Sequence, residues 1–252
     1  MNTNSLPEKK PRDAQMALVL LIELRTRLFY SVCFLFSLFA VLLYFANQLY
    51  TWLALPLLKF LPQGHLIATQ IVSPFFVPFK LAFMSAVLLS VPFFLYQLWR
   101  FVAPALYVHE RKLLWPFLLL SAGLFYAGLA FAYWVIFPLL FHFLAHVVPQ
   151  GVMLSPDISE YLDFTIKLLL VFGVLFEIPI IMALLVSVGL VTRAQFIRWR
   201  SYAIVGAFII GMLLAPPDVL SQTILAVPIW LLYEMGIMLT KFVRKVRDEK
   251  IK

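Results

Sequence analysis

The chain has 252 residues, 63% of them apolar and only 13% charged, with a mean hydropathy of +0.97 and a formal net charge of +8. So few polar residues cannot clothe a water-soluble domain, so lipid is the expected solvent and the chain reads as an all-α integral membrane protein. Its one cysteine, Cys33, excludes an internal disulfide, and one thiol cannot build a metal site. From the N-terminus, Lys9, Lys10 and Arg12 precede an apolar stretch over residues 14–22, in the manner of a signal peptide. Glu23-Leu24-Arg25-Thr26-Arg27 follows, however, where a cleavage site would need small residues. The N-terminus therefore reads as retained, with residues 1–13 a flexible tail and Asp13 the cap of a helix entering the first span.

A spanning helix needs roughly 20 apolar residues. Residues 28–49, 76–99, 113–148 and 164–191 satisfy this, giving four spans. Two shorter runs follow, residues 202–215 and 219–233, the second bounded by Asp218 and Glu234. At 1.5 Å per residue each rises only about 21–23 Å, so the fifth and sixth spans are expected to be short. Basic residues gather before span one (Lys9 to Arg27), between spans two and three (Arg100, Arg111, Lys112), between four and five (Arg193, Arg198, Arg200) and after six (Lys241 to Lys252). Of the intervening loops only Lys59 is basic, so six spans with both termini in the cytoplasm follow from the resistance of such cations to translocation. The whole of 1–252 reads as one transmembrane domain with a basic cytoplasmic tail over 241–252. Residues 53–61, with Pro56, suit a short helix on the outer interface.

Twelve acids are few enough to place singly. Glu177 lies near the centre of span four, where a charged side chain costs about 2.5–3.5 kcal/mol, so it should be neutral or face protein. Pro179, two residues on, removes an intrahelical bond and should kink the helix beside it. The acid then either bonds a neighbouring helix or serves substrate passage or partner contact. Asp163 and Lys167, spaced i,i+4, read as an interfacial ion pair. Glu23 and Glu110 each sit among cations, which singly means a solvated pair worth under about 1 kcal/mol. Both fall on the cytoplasmic side, however, and together could meet a ligand carrying two guanidinium groups, because a carboxylate accepts an arginine fork bidentately.

Several segments in order along the chain resemble the TatC family of twin-arginine translocase subunits. They are Leu21-Ile22-Glu23-Leu24-Arg25, Ser73-Pro74-Phe75-Phe76, Tyr96-Gln97-Leu98-Trp99, Phe101-Val102-Ala103-Pro104-Ala105-Leu106-Tyr107, His109-Glu110-Arg111, Phe172-Gly173-Val174-Leu175-Phe176-Glu177-Ile178-Pro179 and Pro216-Pro217-Asp218-Val219. The resemblance implies a non-enzymatic receptor in the bacterial inner membrane, with no cofactor and no bound metal. It would read twin-arginine signal peptides of folded precursors, assemble with small single-span subunits and with copies of itself, and draw on the proton gradient. By position, Glu23 and Glu110 would face the arginine pair, with Arg25, Gln97 and Phe101 shaping the site. Glu177 would be the polar residue of a concave, membrane-facing groove, Pro56 part of an outer cap, and Met212, Asp218 and Gln222 part of a partner-docking region. Two positions depart from the family pattern: Leu20, where a histidine is common, and Ala215, where a hydroxyl residue is common.

Two rival readings stand beside this one. A small proton-coupled secondary transporter would use Glu177 as its ion site, although its two short spans would be adjacent rather than in corresponding halves. A membrane enzyme could use His142 and His146, spaced i,i+4, but no acid or cysteine lies close in sequence. The basic residues suit topology and anionic membrane lipid better than nucleic acid.

Overall fold

The computed structural model describes residues 10–49, 51, 73–102, 114–147, 157–215 and 218–249. Nearly all of these are helical. In order they form α1 (Lys10–Tyr44), α2 (Ser73–Val102), α3 (Leu114–Phe131), a π-helical turn (Ala132–Ile136), α4 (Phe137–Val147), α5 (Ile158–Leu175), α6 (Ile178–Ser187), α7 (Arg193–Arg198), α8 (Arg200–Leu214) and α9 (Val219–Glu249). Glu110, Pro56 and the expected interfacial helix over residues 53–61 lie outside the described residues. Asp13 is inside α1 rather than at its cap, because the helix already starts at Lys10, with Pro11 in the first turn where a missing N–H costs nothing.

Five stretches are long and apolar enough to cross a membrane: Leu21–Tyr44, Phe75–Arg100, Trp115–Phe143, Ile158–Ser187 and Val219–Lys241. Arg200–Leu214 is apolar but shorter. The helix expected to be the fifth span, α8, is short and rises about 22 Å. The sixth is not. Glu234 does not end it, because the carboxylate accepts a hydrogen bond from Arg200 Nη2 at 2.7 Å and the helix runs on against α6. A paired carboxylate is compatible with a continuing helix, and the 23 residues of Val219–Lys241 rise about 35 Å. Any local thinning of the bilayer must therefore come from α8 alone. Depth profiling with spin labels along α8 and α1 should find the hydrocarbon layer several ångströms thinner beside α8; equal thickness at the two helices would remove the idea.

Proline and glycine account for the breaks. Pro138 lacks the N–H that Trp134 would receive, and the chain widens just before it: Phe137 N donates to Ala132 O, five residues back, giving the π turn. Before Pro179, where a kink is expected, the helix is interrupted between α5 and α6, with Glu177 N donating to Val174 O at 3.0 Å instead of one residue earlier. α6 ends at Gly189, whose φ of 81° suits glycine. There Gly189 N bonds Val186 O and Leu190 N bonds Leu185 O, the paired bonds of a Schellman stop. Thr192 and Gln195 then form a reciprocal capping box that starts α7.

Because lipid is as apolar as the side chains, close packing rather than exclusion of water holds the helices together. The main core joins the π turn and α4 to α5 and the start of α9 through Phe137, Leu140, Leu162, Leu168, Phe172 and Leu225. α1 lies on α2 across Ala82 and Ala86, with Leu42 on its side of the seam. α9 packs on α6 and α8. Gly128 of α3 and Gly173 of α5 meet at a crossing so tight that a Cβ on Gly128 would stand 2.6 Å from Phe172 O and 3.1 Å from Gly173 Cα.

Candidate functional site

α1 and α2 bring two of the sequence-predicted residues together, through a third that was not predicted. Arg27, one turn after Glu23 on α1, donates through Nη2 to Glu23 Oε1. Its Nη1 donates to the backbone oxygen of Gln97 on α2 at 3.0 Å. The Arg27 side chain is only 13% exposed, whereas that of Glu23 is 35% exposed. The guanidinium is thus a partly buried strut that fixes the carboxylate against the end of α2, and Glu23 Oε2 accepts no hydrogen bond from the described residues. Arg25, between Glu23 and Arg27 on α1, is exposed. Phe101 falls in the last turn of α2. From sequence Arg27 counts only among the topology-setting cations; the signal that points to its role is its i,i+4 spacing from Glu23. Nearby, the buried Trp99 stacks on Phe117 of α3 with ring centroids 5.7 Å apart, which ties the same end of α2 to the third span.

Glu177 is placed by the α5–α6 break. It is 8% exposed, and Oε2 accepts a hydrogen bond from Ser121 Oγ on α3, while Oε1 is buried with no partner among the described residues. The acid faces protein, as the cost of exposing it to lipid requires. Asp163 corrects the expectation of an i,i+4 pair with Lys167: its partner is Lys80 of α2, because α2 packs against α5 and delivers the ammonium across the helix boundary.

The predicted docking residues divide into two kinds. Asp218 Oδ1 accepts from Ser221 N at 2.7 Å and so caps α9. Gln222 Nε2 donates to Phe208 O at 2.8 Å and bolts α9 to α8, at the level where Gly211 lets the two backbones approach. Both therefore build the α8–α9 hairpin. Met212 is 54% exposed, on the neighbouring face of α8. Ala215 is buried in the main core, so the departure from a hydroxyl residue there falls at a packed position.

The family model described as "Sec-independent protein translocase protein (TatC)" matches residues 19–228. The chain belongs to the TatC family. It is 49% identical over 231 residues to the TatC protein of Escherichia coli (strain K12), covering 91% of this chain and 90% of that one. With the TatC protein of Haemophilus influenzae it is 47% identical, covering 94% of this chain and 93% of the relative. The crystal structure described as that of the twin arginine translocase receptor TatC superposes with a TM-score of 0.81 at 37% identity, over 89% of this chain and 99% of that one. TatC proteins are translocase components and not enzymes, so this is a multi-pass membrane protein of the twin-arginine translocase. Membership of the family sets aside the small-solute transporter and with it the reading of Glu177 as a transported-ion site.

Proposed function

We propose that this chain is the receptor and core subunit of a twin-arginine translocase in a bacterial inner membrane. It binds the paired arginines of signal peptides on folded precursors and assembles with single-span subunits of the TatA and TatB types and with copies of itself. Six spans with both termini in the cytoplasm put Glu23 and Glu110 on one face. The observation that carries this reading is the fixed carboxylate of Glu23, held by Arg27 with its second oxygen open, in a chain whose structural relative is named as a twin-arginine translocase receptor. A guanidinium fork approaching that oxygen gains a charge-assisted bond without having to order the acid first. Exposed Met212, beside a hairpin braced by Asp218 and Gln222, supports a docking face for a partner helix. Glu177 serves that assembly from within the bundle as a protein-facing polar group, and Pro56 belongs to the outer cap.

The test is cross-linking of a twin-arginine signal peptide to cysteines introduced beside Glu23 and beside Glu110. Both positions are expected to react. Glu110→Ala should abolish the contact, and a peptide carrying two lysines should cross-link weakly, because an ammonium cannot supply the bidentate fork. Undiminished binding by the Glu110→Ala protein would take that acid out of the site.

A further inference from the structure

The segment joining α6 to α8 carries cations that signal-peptide binding does not use. It is pinned to α9 at three points. Phe196 of α7 is buried against Met182 and Ile237, Tyr233 Oη donates to Phe196 O at 2.7 Å, and Arg200 pairs with Glu234. Beside these contacts is an open depression of about 420 Å³ lined by Trp199, Tyr202, Ala203 and Tyr233. Trp199 and Tyr202 are exposed, and both stand where the apolar run of α8 begins. Indole and phenol rings settle at the membrane–water boundary, apolar face inward and polar atom outward. Arg198 and Arg200 flank Trp199 directly. Arg198 is exposed and has no acidic partner among the described residues. Arg200 spends one of its five N–H donors on Glu234.

We propose that this depression binds an anionic phospholipid, with the upper acyl chain against the rings of Trp199, Tyr202 and Tyr233 and the phosphate at Arg198 and Arg200. The lipid is favoured over a partner helix by the two arginines that flank Trp199 in sequence. An apolar helix would gain from the aromatic lining but nothing from the arginines on either side of Trp199, whereas a phospholipid matches both in one molecule. An anionic headgroup is favoured over a zwitterionic one because choline or ethanolamine would bring a cation beside Arg198. The proposal rests on the chain being embedded in lipid and not on its reading of signal peptides.

The full-length chain is reconstituted in phosphatidylcholine vesicles containing, at equal mole fraction, either dibrominated phosphatidylglycerol or dibrominated phosphatidylcholine. Trp199 emission is isolated as the difference from a Trp199→Phe chain. Brominated phosphatidylglycerol should associate with Trp199 about fivefold more strongly than brominated phosphatidylcholine, the preference one well-placed cation confers. Arg198→Gln should bring that ratio close to one while leaving quenching by brominated phosphatidylcholine unchanged. Trp115, exposed at the start of α3 and isolated with Trp115→Phe, reports the general surface field and should show a smaller preference. Equal quenching by the two lipids at Trp199, an equal preference at Trp115, or a preference that survives Arg198→Gln would overturn the proposal. If Arg198→Gln also alters quenching by brominated phosphatidylcholine, Arg198→Lys decides instead: it keeps the charge and must keep the preference.

Discussion

A twin-arginine peptide is expected to bind the Glu23→Gln protein about 10- to 100-fold more weakly than the unaltered chain, as read by titration of a labelled peptide. Glutamine keeps the size and one oxygen of the side chain but loses the charge that an incoming guanidinium meets. The change also reaches Arg27, which keeps its bond to Gln97 O while losing its anionic partner. Because the Glu23 side chain is about one-third exposed, water takes up much of that loss, and the helix pair should survive. The discriminating control is a peptide with two lysines. It should bind the unaltered and Glu23→Gln chains with a much smaller difference than the arginine peptide does, because the fork geometry is absent in both cases. An arginine peptide that binds both chains equally would mean that the carboxylate held by Arg27 is not part of the recognition site.

The second large effect is structural. Gly128→Ala is expected to destabilise the bundle by about 1–3 kcal/mol, and Gly128→Leu to prevent a stable fold. The added Cβ at position 128 has backbone on two sides, Phe172 O and Gly173 Cα, so no flexible side chain can yield and α3 and α5 must separate. Gly123→Ala, one and a half turns earlier on the same helix, is the matched control. A Cβ there meets nothing within 4 Å, and alanine is the better helix former, so stability should be unchanged or slightly higher. Unfolding of the two variants in mixed detergent micelles gives the comparison. Indistinguishable midpoints would show that the α3–α5 crossing has slack that its geometry denies.

Periodicity and punctuation made much of the fold readable in advance. The distortion beside Glu177 follows from Pro179, a purely local cause, so a kink there is legible without any tertiary contact, although the helix goes further and is interrupted. The long apolar runs marked the first four spans for the same reason: a run that cannot be solvated by water must cross lipid wherever it lies in the fold. The sixth span was misjudged because Glu234 looks like a terminus when its partner is unknown, and the partner, Arg200, is 34 residues away. Asp163 was misjudged the same way. A cation at i,i+4 was legible in the chain, while Lys80, which takes its place, is delivered by packing of α2 on α5.

The candidate site shows the same division. Glu23 can be singled out because acids are scarce and this one lies in a family-like string, but nothing local says that Arg27 is largely shielded from solvent or that it reaches Gln97, 70 positions on. Residence in lipid, helical class, a distortion beside Glu177 and membership of the TatC family depend on composition and on neighbours a few residues apart, and can be read from the chain alone. Which charges are paired, how far the last apolar helix runs and which side chain holds the Glu23 carboxylate emerge only once the helices are packed together. Those outcomes depend on distances between helices, and in an apolar bundle such distances are set by where glycine and alanine allow backbones to approach.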